Sequence, residues 1–122
     1  MFDLNNLKKV NDTLGHSVGD QLILNFARLL RNAVPSNDFV GRYGGDEFIA
    51  VIYNTTKDKV IDILRQLDKE ISEFNELGKA FKISYAHGCA FSTDYENCTL
   101  RTLFDKADKN MYNNKQAEKA GR

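Results

Sequence analysis

Apolar residues recur at helical spacing in three parts of the chain, which predicts three amphipathic helices. The first helix covers residues 18–33 and is followed by a proline. The second can be capped by Thr55 or Thr56 and stops near Gly78. The third begins near Leu100 and runs into the polar tail NNKQAEKAGR, which we expect to fray.

Short runs of β-branched and aromatic residues predict strands at residues 39–42, 47–53 and 81–91. The first two are joined through YGGD, so they form a hairpin whose tip carries two glycines and two adjacent acids. Helices on one face of a mixed, mainly antiparallel sheet predict an α+β or α/β sandwich. Only Met1 and Phe2 precede the first acid, Asp3, which is too short a run for a strand of usual length.

Composition narrows the functions open to this fold. The chain has 122 residues, 42% of them hydrophobic, which suits one globular domain over residues 1–122. Lys plus Arg equals Asp plus Glu at 17 each, so no overall field attracts nucleic acid or an anionic membrane. No apolar run reaches the roughly 20 residues that cross a bilayer. The two cysteines, Cys89 and Cys98, fit no metal spacing and indicate reduced thiols in the cytosol.

The three acids Asp3, Asp46 and Glu47 are candidates for a magnesium site, because magnesium takes a few carboxylates and shares its other positions with water and phosphate. They could meet if the first segment pairs beside the hairpin. The alternative is that Asp46 and Glu47 are solvated turn residues. Gly44 and Gly45 favour the first interpretation, because bare backbone lets a base or a phosphate approach closely.

A second polar cluster, NDTLGHSVGD, precedes and opens the first predicted helix. Asn11 and Asp20 could read the hydrogen-bonding edge of guanine, while a helix N-terminus favours phosphate. The alternative is capping by Asp12 or Ser17, and for Asp12 we prefer it. His16 is more often a structural hydrogen-bonding residue than a catalyst.

Two lysines complete the candidate set. Lys8 and Lys115 could each hold a phosphate, although a solvated surface lysine is the default interpretation of both. Serine or cysteine catalysis has no support in the sequence.

GGDEF at residues 44–48 resembles the signature of the GGDEF domains, the diguanylate cyclases. The resemblance extends along the chain, since FDLNNLKKVNDTLGHSVGD is similar to the family's opening pattern. ISYAHGCAFS is similar to its late strand, and DKADKNMYNNK to its closing helix. The resemblance implies a fold like that of nucleotide cyclases and polymerase palms, with GGDEF on a β-hairpin.

The resemblance also implies roles for individual residues. Asp3 and Asp46 would bind Mg²⁺ or Mn²⁺ with the Leu4 carbonyl nearby, and Glu47 would support that metal or activate the attacking hydroxyl. Asp46 and Glu47 are therefore the implied catalytic residues. The implied nucleotide-binding residues are Lys8, Asn11, His16, Asp20, Gly44, Gly45 and Lys115.

The activity implied is condensation of two GTP molecules into cyclic di-GMP and two pyrophosphates. Each GTP is held by one subunit of a facing homodimer, and each 3′-hydroxyl attacks the α-phosphate of the other GTP. The resemblance further implies a cytoplasmic domain, or the cytosolic part of a membrane-anchored protein, fused to a sensory or regulatory module.

The sequence departs from the family pattern at several positions. Asn5 stands where the family usually has its second acid, and Leu7 where it usually has Phe. The family's product-inhibition motif, Arg-x-x-Asp, is PSND here, so Pro35 replaces the arginine and Asp38 remains. We expect weak or absent product inhibition by that route.

The two ends of the sequence also differ from the family. Related domains carry an extra N-terminal helix and most of a central strand before the first acid, and we expect this chain to be a fragment that lacks both. The closing Gly-Arg comes late, so Lys119 could replace Arg122 as a phosphate ligand. The alternative function is a catalytically inactive module that binds GTP or a protein partner.

Overall fold

The described residues of the computed structural model, 1–120, form four strands and four α-helices. In chain order these are β1 (Phe2–Leu4), α1 (Leu7–Leu14), α2 (His16–Ala33), β2 (Phe39–Arg42), β3 (Glu47–Val51), α3 (Lys57–Glu76), β4 (Tyr85–His87) and α4 (Leu100–Ala120). Arg122 and the side chain of Lys119, two suggested phosphate ligands, lie outside the described residues.

The four strands form one antiparallel sheet in the order β2-β3-β1-β4. β1 is central: Asp3 pairs with Glu47 of β3 on one side and with Ala86 of β4 on the other. β1 has three residues, fewer than a strand of usual length, as the short segment before Asp3 predicts. A three-residue strand persists here because hydrogen bonds on both of its edges hold it.

Side chains of β1 alternate between the two faces of the sheet. Phe2 and Leu4 join the main core against α2 and α3, which includes Phe26 and Leu67. Met1 and Ala86 pack with Met111 of α4 on the other face. The expectation of helices on one face is therefore wrong, because α4 packs on the face opposite to α2 and α3. The predicted α+β class with an antiparallel sheet and a GGDEF hairpin is confirmed.

β2 matches its predicted position, β3 ends two residues before the predicted end at 53, and β4 is much shorter than the predicted 81–91. The residues leading into β4 are instead tied to α3, where the Asn75 side chain bonds both the N–H and the carbonyl of Ile83. The sequence does not show whether the backbone of 81–91 pairs in a strand or bonds to a side chain of α3. Its apolar side chains are equally suited to a strand or a packed coil.

The helix ends differ from expectation in three places. α1 was not anticipated from the polar segment that forms it, and α2 begins at His16 after Gly15, without a side-chain cap from Asp12 or Ser17. α4 stays helical to Ala120, where fraying was expected. The predicted cap of α3 is confirmed, since the Thr56 hydroxyl accepts a hydrogen bond from the N–H of Lys59.

Within residues 1–120, none of the helices is both long enough and apolar enough to span a membrane.

Candidate functional site

The GGDEF turn is held from two sides. The Arg42 guanidinium donates to the carbonyls of Gly44 and Gly45 at 3.0 and 2.8 Å. The Tyr43 ring packs edge-on against Phe104 of α4, with their centroids 4.9 Å apart. These contacts fix the segment that presents Asp46, although sequence reasoning had assigned Arg42 no role. An arginine flanking a Gly-Gly turn, whose carbonyls lack helix or sheet partners, is the signal that was available.

Asp3 lies beside this turn because β1 pairs with β3. The Leu4 N–H donates to the Asp46 carbonyl at 2.7 Å, which joins the two acid-bearing segments directly. Asp3 is only 7% exposed, and one of its oxygens, Oδ2, accepts a hydrogen bond from Lys115 Nζ at 2.9 Å. The structure thus gathers Asp3, Asp46, Glu47 and Lys115 at one end of the central strand.

The charges of this group shift one another's proton affinities. Burial raises the pKa of Asp46 above its ordinary value, and the neighbouring Asp3 carboxylate raises it further. The pKa of Glu47 is raised by burial and then by Asp3, Asp46 and Asp108. The hydrogen bond to Asp3 raises the pKa of Lys115. The cluster therefore holds more negative charge than one lysine neutralises.

The donor set fits a hard divalent cation. Asp3 Oδ1 is buried and has no hydrogen-bond partner among the described residues. Among the described residues, no three His, Cys, Asp or Glu side chains are placed so that they could hold a metal ion together. Two carboxylates and a carbonyl, with the remaining positions left to water and phosphate, are what Mg²⁺ usually takes.

The remaining predicted nucleotide ligands lie on α1 and α2. Lys8, His16 and Asp20 are exposed, and Asn11 is half-buried. The Asn11 amide packs directly over Gly19 of α2, where any Cβ would overlap its Oδ1 atom. Gly19 is therefore a second residue that sequence reasoning missed. No hydrogen bond or ion pair among the described residues joins this group to the acid cluster.

The residues that depart from the family pattern have local partners. Asn5 Nδ2 donates to Ser84 Oγ at 3.1 Å, so the amide is directed toward the loop before β4. The Asp38 carboxylate accepts from the Tyr53 N–H at 3.2 Å. Arg31 donates to the carbonyls of Val34, Pro35 and Asp38, which ties this loop to α2.

A cleft of about 410 Å³ lies at the other end of β1, away from the hairpin. Its walls come from the end of β3, the segment after β4, and the first turns of α3 and α4, and they are mostly apolar. None of the predicted site residues lines it, so the cleft and the acid cluster are separate features of the fold.

Comparison with known proteins places these features in a family. Residues 1–121 match the family described as "Diguanylate cyclase, GGDEF domain". The chain is 40% identical to the signaling protein YkoW of Bacillus subtilis, across 98% of this chain and 15% of YkoW. It is 28% identical to diguanylate cyclase A of Treponema denticola, across 95% of this chain and 32% of that protein. The chain thus spans about a third or less of these curated relatives.

Solved structures agree with the sequence comparison. The GGDEF domain of TpbB, also named YfiN, of Pseudomonas aeruginosa superposes with a TM-score of 0.83 at 27% identity, across 95% of this chain and 69% of that one. A sensory box/GGDEF family protein of Caulobacter crescentus gives 0.75 at 30% identity, across 95% and 76%. With a match over nearly its whole length and the signature on the expected hairpin, this chain belongs to the GGDEF domain family of diguanylate cyclases.

Proposed function

We propose that this chain is a diguanylate cyclase domain that condenses two GTP molecules into cyclic di-GMP and two pyrophosphates. The observation that carries the proposal is the meeting of Asp3, Asp46 and Lys115 at the GGDEF turn. Two acids and a lysine at one point provide what a triphosphate needs, namely a cation site and a positive charge beside it.

In this proposal Asp3, Asp46 and the Leu4 carbonyl hold Mg²⁺ or Mn²⁺, and Glu47 supports the site. The bound cation would neutralise charge on the α-phosphate and on the departing pyrophosphate. We also assign Glu47 to accept the proton of the attacking 3′-hydroxyl, a role that its raised pKa favours.

The guanine end of the nucleotide is assigned to α1 and α2. Asn11 and Asp20 supply the acceptors and donors that distinguish guanine from adenine, with His16 close to them in the chain. Lys8 and Lys115 are assigned to phosphates, and the bare backbone of Gly44 and Gly45 lets the nucleotide approach the hairpin. Each chain then carries one GTP, so two facing copies are required to bring both reactants together.

Product inhibition through the Arg-x-x-Asp route is absent in this proposal. Pro35 provides no guanidinium, and the Asp38 carboxylate is already bonded to the Tyr53 N–H. Arg31 contacts the same loop, but its guanidinium already donates hydrogen bonds to three backbone carbonyls there.

The chain is proposed to be one module of a longer signalling protein. It spans 15% and 32% of the length of two curated relatives. The printed description of one structural neighbour includes a sensory box, and another, the diguanylate cyclase SiaD, was solved with its activator SiaC. A regulatory module or partner protein is therefore the expected controller of dimerisation.

A second candidate is a module that binds GTP without converting it. The amide of Asn5 favours this alternative, because it replaces a family acid and is directed to Ser84. Loss of that negative charge would weaken metal binding while leaving Asn11 and Asp20 in place.

Incubation with GTP and Mg²⁺ at high protein concentration, followed by mass spectrometry, tests the proposal. We expect cyclic di-GMP from the wild type and at least about a hundredfold less from Asp46→Ala, since charge stabilisation at the reacting phosphate is lost. Asp62→Ala, an exposed acid on α3, is the matched control and should retain full activity.

The same assay separates the alternatives. Added cyclic di-GMP should leave the initial rate unchanged if the Arg-x-x-Asp route is absent. GTP binding by calorimetry without any product would favour the inactive module, and unchanged turnover in Asp46→Ala would contradict the catalytic assignment.

A further inference from the structure

Asp3 is a buried carboxylate that requires a positive partner. It is 7% exposed and lies in the central strand, between β3 and β4. Transferring a carboxylate from water into such a position is costly unless a cation pairs with it. In the structure that cation is Lys115, whose Nζ lies 2.9 Å from Asp3 Oδ2.

Lys115 reaches this partner from the solvent side. Its side chain is 33% exposed, whereas that of Asp3 is 11% exposed. The ammonium group sits at the end of four flexible methylenes on α4, so it can leave Asp3 without any movement of the helix. The lysine is therefore the mobile member of the pair.

The lysine leaves the acid cluster incompletely neutralised. Asp3 Oδ1 has no hydrogen-bond partner among the described residues, and the carboxylates of Asp46 and Glu47 lie close by. A divalent cation at this point would satisfy several oxygens that a single ammonium group leaves unsatisfied. Both cations would require Asp3, so they compete for it.

We propose that Lys115 is a displaceable counter-ion, which occupies Asp3 in the nucleotide-free domain and is released to a nucleotide phosphate when a divalent cation binds. It is a positioning residue that makes metal and nucleotide binding cooperative. Metal alone must displace the lysine, whereas metal with a triphosphate gives the lysine a new partner. By linkage, each ligand then raises the affinity of the domain for the other by the same factor. The inference rests on the proposed function for the identity of the nucleotide.

Mn²⁺ binding followed by electron paramagnetic resonance, in the absence of nucleotide, tests the competition directly. We expect Lys115→Met to bind Mn²⁺ about tenfold to a hundredfold more tightly than the wild type, the range that corresponds to a charged hydrogen bond. Lys109→Met removes the same charge from an exposed position of the same helix, and its Mn²⁺ affinity should equal that of the wild type. Unchanged affinity in Lys115→Met, or equal tightening in both variants, would overturn the inference.

The coupling between metal and nucleotide binding is tested with α,β-methylene-GTP, whose α–β bridge cannot be cleaved. In the wild type, Mn²⁺ should raise the affinity for this analogue, and Lys115→Met should lose most of that coupling and bind the analogue more weakly. If coupling in Lys115→Met equals that of the wild type, the lysine does not link the two ligands.

Failure of the inference and failure of the proposed function give different results. Guanine-selective binding of the analogue with unchanged Mn²⁺ affinity in Lys115→Met would leave the cyclase proposal standing and remove the lysine from it. Absence of analogue binding in every variant, with tighter Mn²⁺ binding in Lys115→Met, would keep the competition at Asp3 and contradict the nucleotide assignment.

Discussion

Gly19 is the residue on which the position of Asn11 depends. A Cβ at Gly19 would overlap the Oδ1 atom of Asn11, so an alanine there must displace the amide proposed to read guanine. We expect Gly19→Ala to lower the affinity for α,β-methylene-GTP by about tenfold, the effect of roughly one lost hydrogen bond. The affinity for α,β-methylene-ATP should change little. Calorimetry with both analogues measures the change in discrimination.

A double substitution shows whether Gly19 acts through Asn11. If it does, Gly19→Ala in an Asn11→Ala background should cost nothing further, because the displaced group is already absent. Ser17→Ala, an exposed position at the start of the same helix, is the control for altered helix propensity. Equal weakening of both analogues by Gly19→Ala would assign the glycine to helix packing alone.

At the residue scale, the sequence indicated which residues form the site better than it indicated how they are arranged. The acids at positions 3, 46 and 47 were candidates from their type and from the adjacent glycines, and the structure brings them together. Arg42 was missed although an arginine beside a Gly-Gly turn is a local signal, since it binds carbonyls of its own turn. The role of Gly19 could not be predicted, because it depends on a contact between two helices.

The packing of α4 against β4 depends on Gly88. A Cβ at this position would overlap the backbone N of Met111 and the carbonyl of Ala107, and a helix backbone cannot move aside as a flexible side chain can. We expect Gly88→Ala to lower the free energy of unfolding by about 1–3 kcal/mol, as overpacking of a well-packed interior does. Urea denaturation followed by circular dichroism measures this free energy of unfolding.

Gly45→Ala is the matched control for this prediction. No heavy atom lies within 4 Å of a Cβ at Gly45, so its stability should be close to that of the wild type. A stability of Gly88→Ala equal to that of Gly45→Ala would show that α4 is not packed on β4 as closely as the structure has it.

The helices and strands differ in how well they could be predicted from their sequences. The hairpin was predictable because short runs of β-branched and aromatic residues flank a Gly-Gly turn, and α3 because Thr56 and a regular apolar stripe mark it. β1 and α1 were not, since three residues carry no period, and Asn6, the N-cap residue before α1, has a positive φ and makes no side-chain cap hydrogen bond. These elements are stabilised by their neighbours, which a local pattern does not contain.

The proposed function assigns one acid cluster and one group of guanine-binding residues to each chain, so a single chain would carry half of the proposed reaction. We expect the rate per mole of protein to rise with protein concentration and to level off once the dimer dominates. Initial rates across dilutions from about 100 μM to 100 nM, with light scattering at the same concentrations, measure this dependence. A constant specific rate in samples that scatter as monomers would contradict catalysis at a facing pair.

The hydrogen bond from Lys115 to Asp3 joins residues 112 positions apart, nearly the full length of the chain. A contact of such separation carries a large loop-closure entropy, because a long stretch of chain must be closed to form it. Local opening of α4 would separate the pair while the hairpin and the main core of α2 and α3 stay folded. Partial unfolding confined to α4 would therefore remove the proposed metal and nucleotide site while most of the fold remains.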